Sequence, residues 1–127
     1  MRAARPLVAI VDDDEGLREA LVALFASAGY AAVAYACAED FLESGHRPGC
    51  LMLDQRMPGM SGLELLQWLR AYGNVVPAVM MSARGYDDVM RLHATREGVA
   101  CLRKPFTWDE LSNAVRDALD RHEPKVQ

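Results

Sequence analysis

Residues 7–16 read LVAIVDDDEG, five apolar residues that run directly into Asp12, Asp13 and Asp14. The apolar run is far too short to span a membrane and has the length of a strand buried on both faces of a parallel sheet. The carboxylates that end it need a reason. Two like charges about 4 Å apart repel by roughly 4 kcal/mol at a protein-like dielectric, so the cluster destabilises the fold unless a cation sits among them.

The same design recurs along the chain. CLML at 50–53 ends in Asp54, PAVMM at 77–81 ends at Ser82, and VACLR at 99–103 leads into Lys104 and Pro105, while AAVAY at 31–35 is a weaker strand. Segments of helical period separate these runs. Leu17, Leu21, Leu24, Phe25 and Ala28 form one face of a helix that ends near Gly29, and a short helix around Ala38 to Glu43 precedes a Gly/Pro loop at 45–49. Leu65, Trp68, Leu69 and Tyr72 make a stripe opened by Ser61 with Glu64 as a capping box, and Thr107 with Glu110 opens a last helix carrying Trp108, Leu111, Val115, Ala118 and Leu119. The helix expected over Asp87 to Arg96 is the weakest, because Arg91, His93 and Arg96 break its apolar face. Five strand-then-helix units predict an α/β fold, a doubly wound five-stranded parallel sheet with helices on both faces. They fill residues 1–122, and 123–127 read as a polar tail or the start of a linker.

Composition limits the setting. The 127 residues suit one domain, and 51% hydrophobic with 25% charged residues is an ordinary globular balance. A net charge of −4 offers no basic footprint for nucleic acid or an anionic membrane. The opening MRAARPLVAIV resembles a secretory start only until Asp12 cuts its apolar run short. Cys37, Cys50 and Cys101 are odd in number and widely spaced, which suits reduced thiols better than disulfides or zinc. A cytoplasmic protein is expected.

In an open α/β sheet, ligands bind beyond the carboxyl ends of the strands. Asp12, Asp13, Asp54, Ser82 and Lys104 all fall at such ends, from four strands. Three carboxylates make a hard, oxygen-only site suited to Mg2+ and ill suited to zinc. A lysine and a hydroxyl beside it are suitable donors for the oxygens of a phosphoryl group. Singly, each residue has an ordinary reading: Asp14 is an N-cap, Pro58 and Gly59 shape a turn, Met80 and Met81 belong to the core, and His46, His93 and His122 are surface histidines.

Together, VDDDEGLR, LDQRMPGMSGLELL, MMSARG and LRKPF resemble the motifs of the response regulator receiver domain over essentially the whole chain, most closely the receivers of nitrogen-fixation transcriptional regulators. The resemblance implies a flavodoxin-like strand order 2-1-3-4-5 and a two-component signalling role. It makes Asp54 the acceptor of a phosphoryl group from a sensor histidine kinase. Asp13 becomes the principal Mg2+ carboxylate, with Asp12, Asp54 and the backbone carbonyl of Arg56 beside it. Ser82 is then the switch hydroxyl, Lys104 the partner of the phosphoryl group, and Pro105, after a cis peptide bond, fixes the turn that aims it. The family is not enzymatic beyond its own phosphorylation and dephosphorylation. It allows a homodimer through the face of the fourth and fifth helices, with no nucleic acid bound by this domain and no membrane.

Two positions depart from the pattern. Cys101 stands where the family carries Tyr or Phe, an aromatic that swings inward behind the switch hydroxyl, and Glu97 stands where glycine is common. The output face is therefore expected to be specialised. Among rivals, a flavodoxin-type electron carrier is disfavoured because Asp12 to Glu15 would repel the flavin phosphate. A haloacid-dehalogenase phosphatase and a calcium loop are disfavoured by Gly16 and Leu17, which sit where each needs another residue type. The serious alternative is a binding module of the same fold that signals without phosphorylation.

Overall fold

The computed structural model describes residues 6–83 and 88–122, with side chains for 6–83 and 91–121. Each apolar run becomes a strand: β1 (Leu7–Val11), β2 (Ala31–Tyr35), β3 (Cys50–Asp54), β4 (Ala78–Ser82) and β5 (Ala100–Arg103). The helices between and after them are α1 (Glu15–Ser27), α2 (Ala38–Ser44), α3 (Gly62–Ala71), α4 (Asp88–Arg96) and α5 (Trp108–His122). All pairings are parallel, in the order β2-β1-β3-β4-β5. The expected helix start at Asp87, the His122 side chain and the tail from 123 lie outside the described residues.

Strand alternation divides the core. Ala9, Val11, Leu51, Leu53, Ala78 and Met80 face one side, where Phe41 of α2, Leu65, Leu66 and Leu69 of α3 and Ala94 of α4 cover them. Val8, Ile10, Cys50, Met52, Val79 and Met81 face the other, under Leu21 and Phe25 of α1 and Leu111, Val115 and Ala118 of α5. Every residue of β3 and β4 is buried, the condition that turns a strand into a continuous apolar run. Phe25 locks α1 to α5 by meeting Trp108 edge-on at 5.0 Å between ring centres.

Three of the expected helix starts hold. Asp14 caps α1, its Oδ1 accepting the Leu17 amide at 3.1 Å. Ser61 and Glu64 form a full capping box on α3, and Thr107 and Glu110 exchange the same pair of bonds before α5. β4 starts one residue later than its apolar run because Pro77 has no amide to donate, and it extends to include Ser82. Asp54 and Ser82 are thus the last residues of their strands, with backbones held by the ladder.

Candidate functional site

Asp12, just beyond β1, is wholly buried. Its amide donates to the Tyr35 carbonyl at 3.1 Å, Oδ1 accepts the Asp14 amide at 2.9 Å, and Oδ2 accepts the Lys104 ammonium at 2.7 Å. Lys104 also lies 3.3 Å from Asp54 Oδ1, so one cation bridges two carboxylates from separate strands. Asp13 is exposed at the mouth, and one ligand oxygen from each of Asp12, Asp13 and Asp54 falls within 4.8 Å of the others. That separation and an all-oxygen donor set suit a hard divalent cation.

Neighbouring strands supply the remaining groups. Ser82 is buried at the end of β4, and its carbonyl accepts the Lys104 amide at 2.7 Å, which anchors the start of the lysine turn to the strand. The Lys104–Pro105 peptide is cis, as the resemblance implies. Arg56 is exposed and lines a shallow mouth with Asp13, Gln55, Met57, Pro58 and Ser61. Gly59 has φ +79°, a backbone conformation that disfavours any side chain and suits the glycine of a turn. Gly62, the first residue of α3, lies so close to β3 that a Cβ there would sit 2.5 Å from the Asp54 carbonyl oxygen.

Electrostatics follow from this packing. Burial pushes the Asp54 carboxyl up to about 6, the charge of Asp12 adds to the rise, and Lys104 opposes it. Burial alone would lower the Lys104 ammonium. Its hydrogen bond and charge pairing with Asp12, helped by Asp54, outweigh that and raise it above the ordinary lysine range. Cys50 is pushed up to about 12 by burial, an inert core thiol. Cys101 is half-buried on β5, opposite Met80 in register and outside the acid cluster; burial raises its thiol, with Arg91 pulling the other way.

Several participants carried no sequence signal. Arg18 reaches back from α1 to the Asp12 carbonyl at 2.9 Å, Gln55 Oε1 accepts the Leu63 amide at 2.8 Å, and Glu39 Oε2 accepts the Met60 amide at 3.1 Å. Each of these bonds goes to a backbone group, which residue type and spacing do not mark in the chain. His46 is exposed as expected, but it is not a bare surface histidine, since its Nδ1 is hydrogen-bonded with the Tyr35 hydroxyl.

The strand order is that of a flavodoxin-like domain, and at its strand ends Lys104 bridges Asp12 and Asp54. The chain belongs to the response regulator receiver domain family of two-component systems, whose match covers residues 8–116. It is 39% identical to the transcriptional regulatory protein FixJ of Azorhizobium caulinodans over 117 residues, 90% of this chain and 55% of that protein. It is likewise 39% identical to the response regulator protein TodT of Pseudomonas putida, over 89% of this chain and 51% of that one. Among solved structures it resembles FixJ-N, with TM-score 0.83 and 32% identity over 99% of this chain and 100% of that one. The response regulator StyR gives 0.84 and 41% over 93% and 61%. The chain thus spans about half the length of the curated relatives it matches. No helix among the described residues is long and apolar enough to cross a membrane.

Proposed function

We propose that this receiver domain takes a phosphoryl group onto Asp54 from the phosphohistidine of a sensor histidine kinase and passes the event, as a change of conformation, to an output partner or domain. The observation that carries the reading is the Lys104 bridge between Asp12 and Asp54, with Asp13 and Ser82 at the same strand ends. In its anionic form Asp54 attacks phosphorus. An O–P bond forms as the P–N bond breaks, and the electron pair of that bond leaves with the imidazole nitrogen. Lys104, kept charged by Asp12, is placed to accompany the phosphoryl oxygens as they arrive, and the Ser82 hydroxyl is the nearby donor for another of them.

Asp12, Asp13 and Asp54, with the Arg56 carbonyl, would hold Mg2+. When bound, Mg2+ supplies positive charge against the phosphoryl oxygens and the crowded carboxylates. The domain modifies only itself in this reading, so it is not an enzyme toward other molecules, and it works in the cytoplasm, where its kinase phosphorylates it. Its output is carried by the α4 and α5 face, through a second copy or a downstream partner, with no nucleic acid bound here.

Intact mass after treatment with acetyl phosphate and Mg2+ tests the proposal. The wild type gains one phosphoryl group and Asp54→Asn gains none. A gain in Asp54→Asn equal to wild type refutes the assignment, and no gain in either favours a binding module that signals without phosphorylation.

A further inference from the structure

The segment 55–61 joins β3 to α3 and carries Arg56, which lines the same shallow mouth as Asp13. Its base is pinned by the sheet and by α3. The Gln55 amide donates to the Met81 carbonyl at 2.9 Å, the Gln55 carbonyl accepts the Gly62 amide at 3.2 Å, and the Gln55 side chain accepts the Leu63 amide at 2.8 Å. Beyond the turn at Pro58 and Gly59, the tip is held from a different element. Glu39, in the first turn of α2, accepts the Met60 amide through Oε2 at 3.1 Å. The same oxygen lies against the turn, 2.8 Å from where a Cβ on Gly59 would stand. Glu39 is 21 residues from Met60 and outside the acidic cluster, so it contributes no ligand.

We infer that Glu39 is a positioning residue for the metal site: by holding Met60 and packing over Gly59, it sets the course of the loop that presents the Arg56 carbonyl beside Asp13. The inference rests on the Mg2+ reading proposed above and goes beyond it by assigning the loop's placement to α2. A backbone carbonyl cannot be chosen by a side-chain mutation, so its direction is set by whatever fixes the loop on either side of it. Here Gln55 fixes one side and Glu39 the other. Hydrogen bonds from its own backbone amide and from Met60, with a further one from the Cys37 thiol, hold the Glu39 carboxyl below the usual range and keep it a ready acceptor. Groups that orient a ligand without touching the ion alter affinity through geometry.

Mg2+ titration by calorimetry, paired with amide hydrogen exchange in the metal-free protein, tests this on wild type, Glu39→Ala and Glu39→Gln. In Glu39→Ala the Met60 amide should exchange faster and the Mg2+ dissociation constant should rise about tenfold. Glu39→Gln keeps an oxygen that accepts the same amide and should stay near wild type in both measurements. If Glu39→Gln falls with Glu39→Ala, Glu39 acts by its charge and the positioning role is overturned. An unchanged constant in Glu39→Ala, with wild type binding normally, overturns this inference and leaves the metal site standing. Absence of Mg2+ binding by wild type overturns both.

Discussion

β3 and β5 flank β4 on opposite sides, and their environments could hardly differ more. β3 lies between two partners, is buried at all five residues, and ends in the proposed phosphoacceptor. β5 is an edge strand of four residues, none of them buried, that ends in the exposed Arg103. That carboxylate sits where pairing on both sides and packing on both faces leave its backbone no alternative. The half of the molecule proposed to respond is built from the short edge strand and from α4, whose apolar face is broken by arginines. Low local stability is what lets a small input redistribute conformations.

The sharpest test of that contrast is packing. Leu51→Ala in β3 removes a wholly buried side chain and should cost about 3 kcal/mol, whereas Leu102→Ala in β5, only partly buried, should cost about 1 kcal/mol. Chemical denaturation reads both, and equal losses would erase the distinction between the two strands.

A second test uses pH. The Asp54 carboxyl is raised from an ordinary 3.8 to about 6, so its contribution to stability is fully present below the ordinary value and is lost as pH rises through the folded value. Asp54→Asn removes that loss while Lys104 keeps Asp12. In metal-free protein the variant should be more stable than wild type by about 2 kcal/mol above neutral pH, the advantage vanishing toward about pH 4. Thermal unfolding with a chelator present measures it, and an advantage that grows on acidification would reverse the sign.

Within the acidic run, Asp13 and Asp14 should separate by role. Asp13→Ala removes a proposed ligand and its charge and should weaken Mg2+ binding by more than the about tenfold expected when only an orienting group is lost, with no loss of metal-free stability. Asp14→Ala removes the α1 cap and should cost about 1 kcal/mol while leaving Mg2+ affinity intact. Calorimetric titration that finds Asp14→Ala the weaker binder would exchange the two assignments.

The smallest effect is expected at the edge. Cys101→Tyr lies outside the acid cluster, so the rate of Asp54 phosphorylation by a small-molecule donor should hardly change. The distribution of conformations in the beryllofluoride-bound state should shift, visible as altered amide resonances across α4. A changed rate with an unchanged spectrum would place Cys101 in the reacting shell instead.

Apolar runs of strand length, capping boxes at Ser61 and Thr107, and carboxylates at strand ends were legible because each is a local signal of period and residue type. The five strand-end residues were legible as a set only because parallel sheets bring their carboxyl ends to one edge. Glu39, Gln55 and Arg18 were not legible, since a carboxylate, carboxamide or guanidinium aimed at a backbone group leaves no pattern in the chain. The His46 bond to Tyr35 was hidden for a similar reason, two polar residues that only the packing of α2 against β2 brings together.

By itself, then, the order of residues determined the number and kind of elements, the sheet's parallel sense and which side chains end its strands, because hydrophobic period and capping act over a few residues. Tertiary structure decided that Lys104 bridges Asp12 and Asp54, that burial raises Asp54, and that α2 reaches across to hold the loop beside Asp13. Those are distances and dielectric surroundings, and they exist only once segments far apart in the chain have excluded water from the space between them.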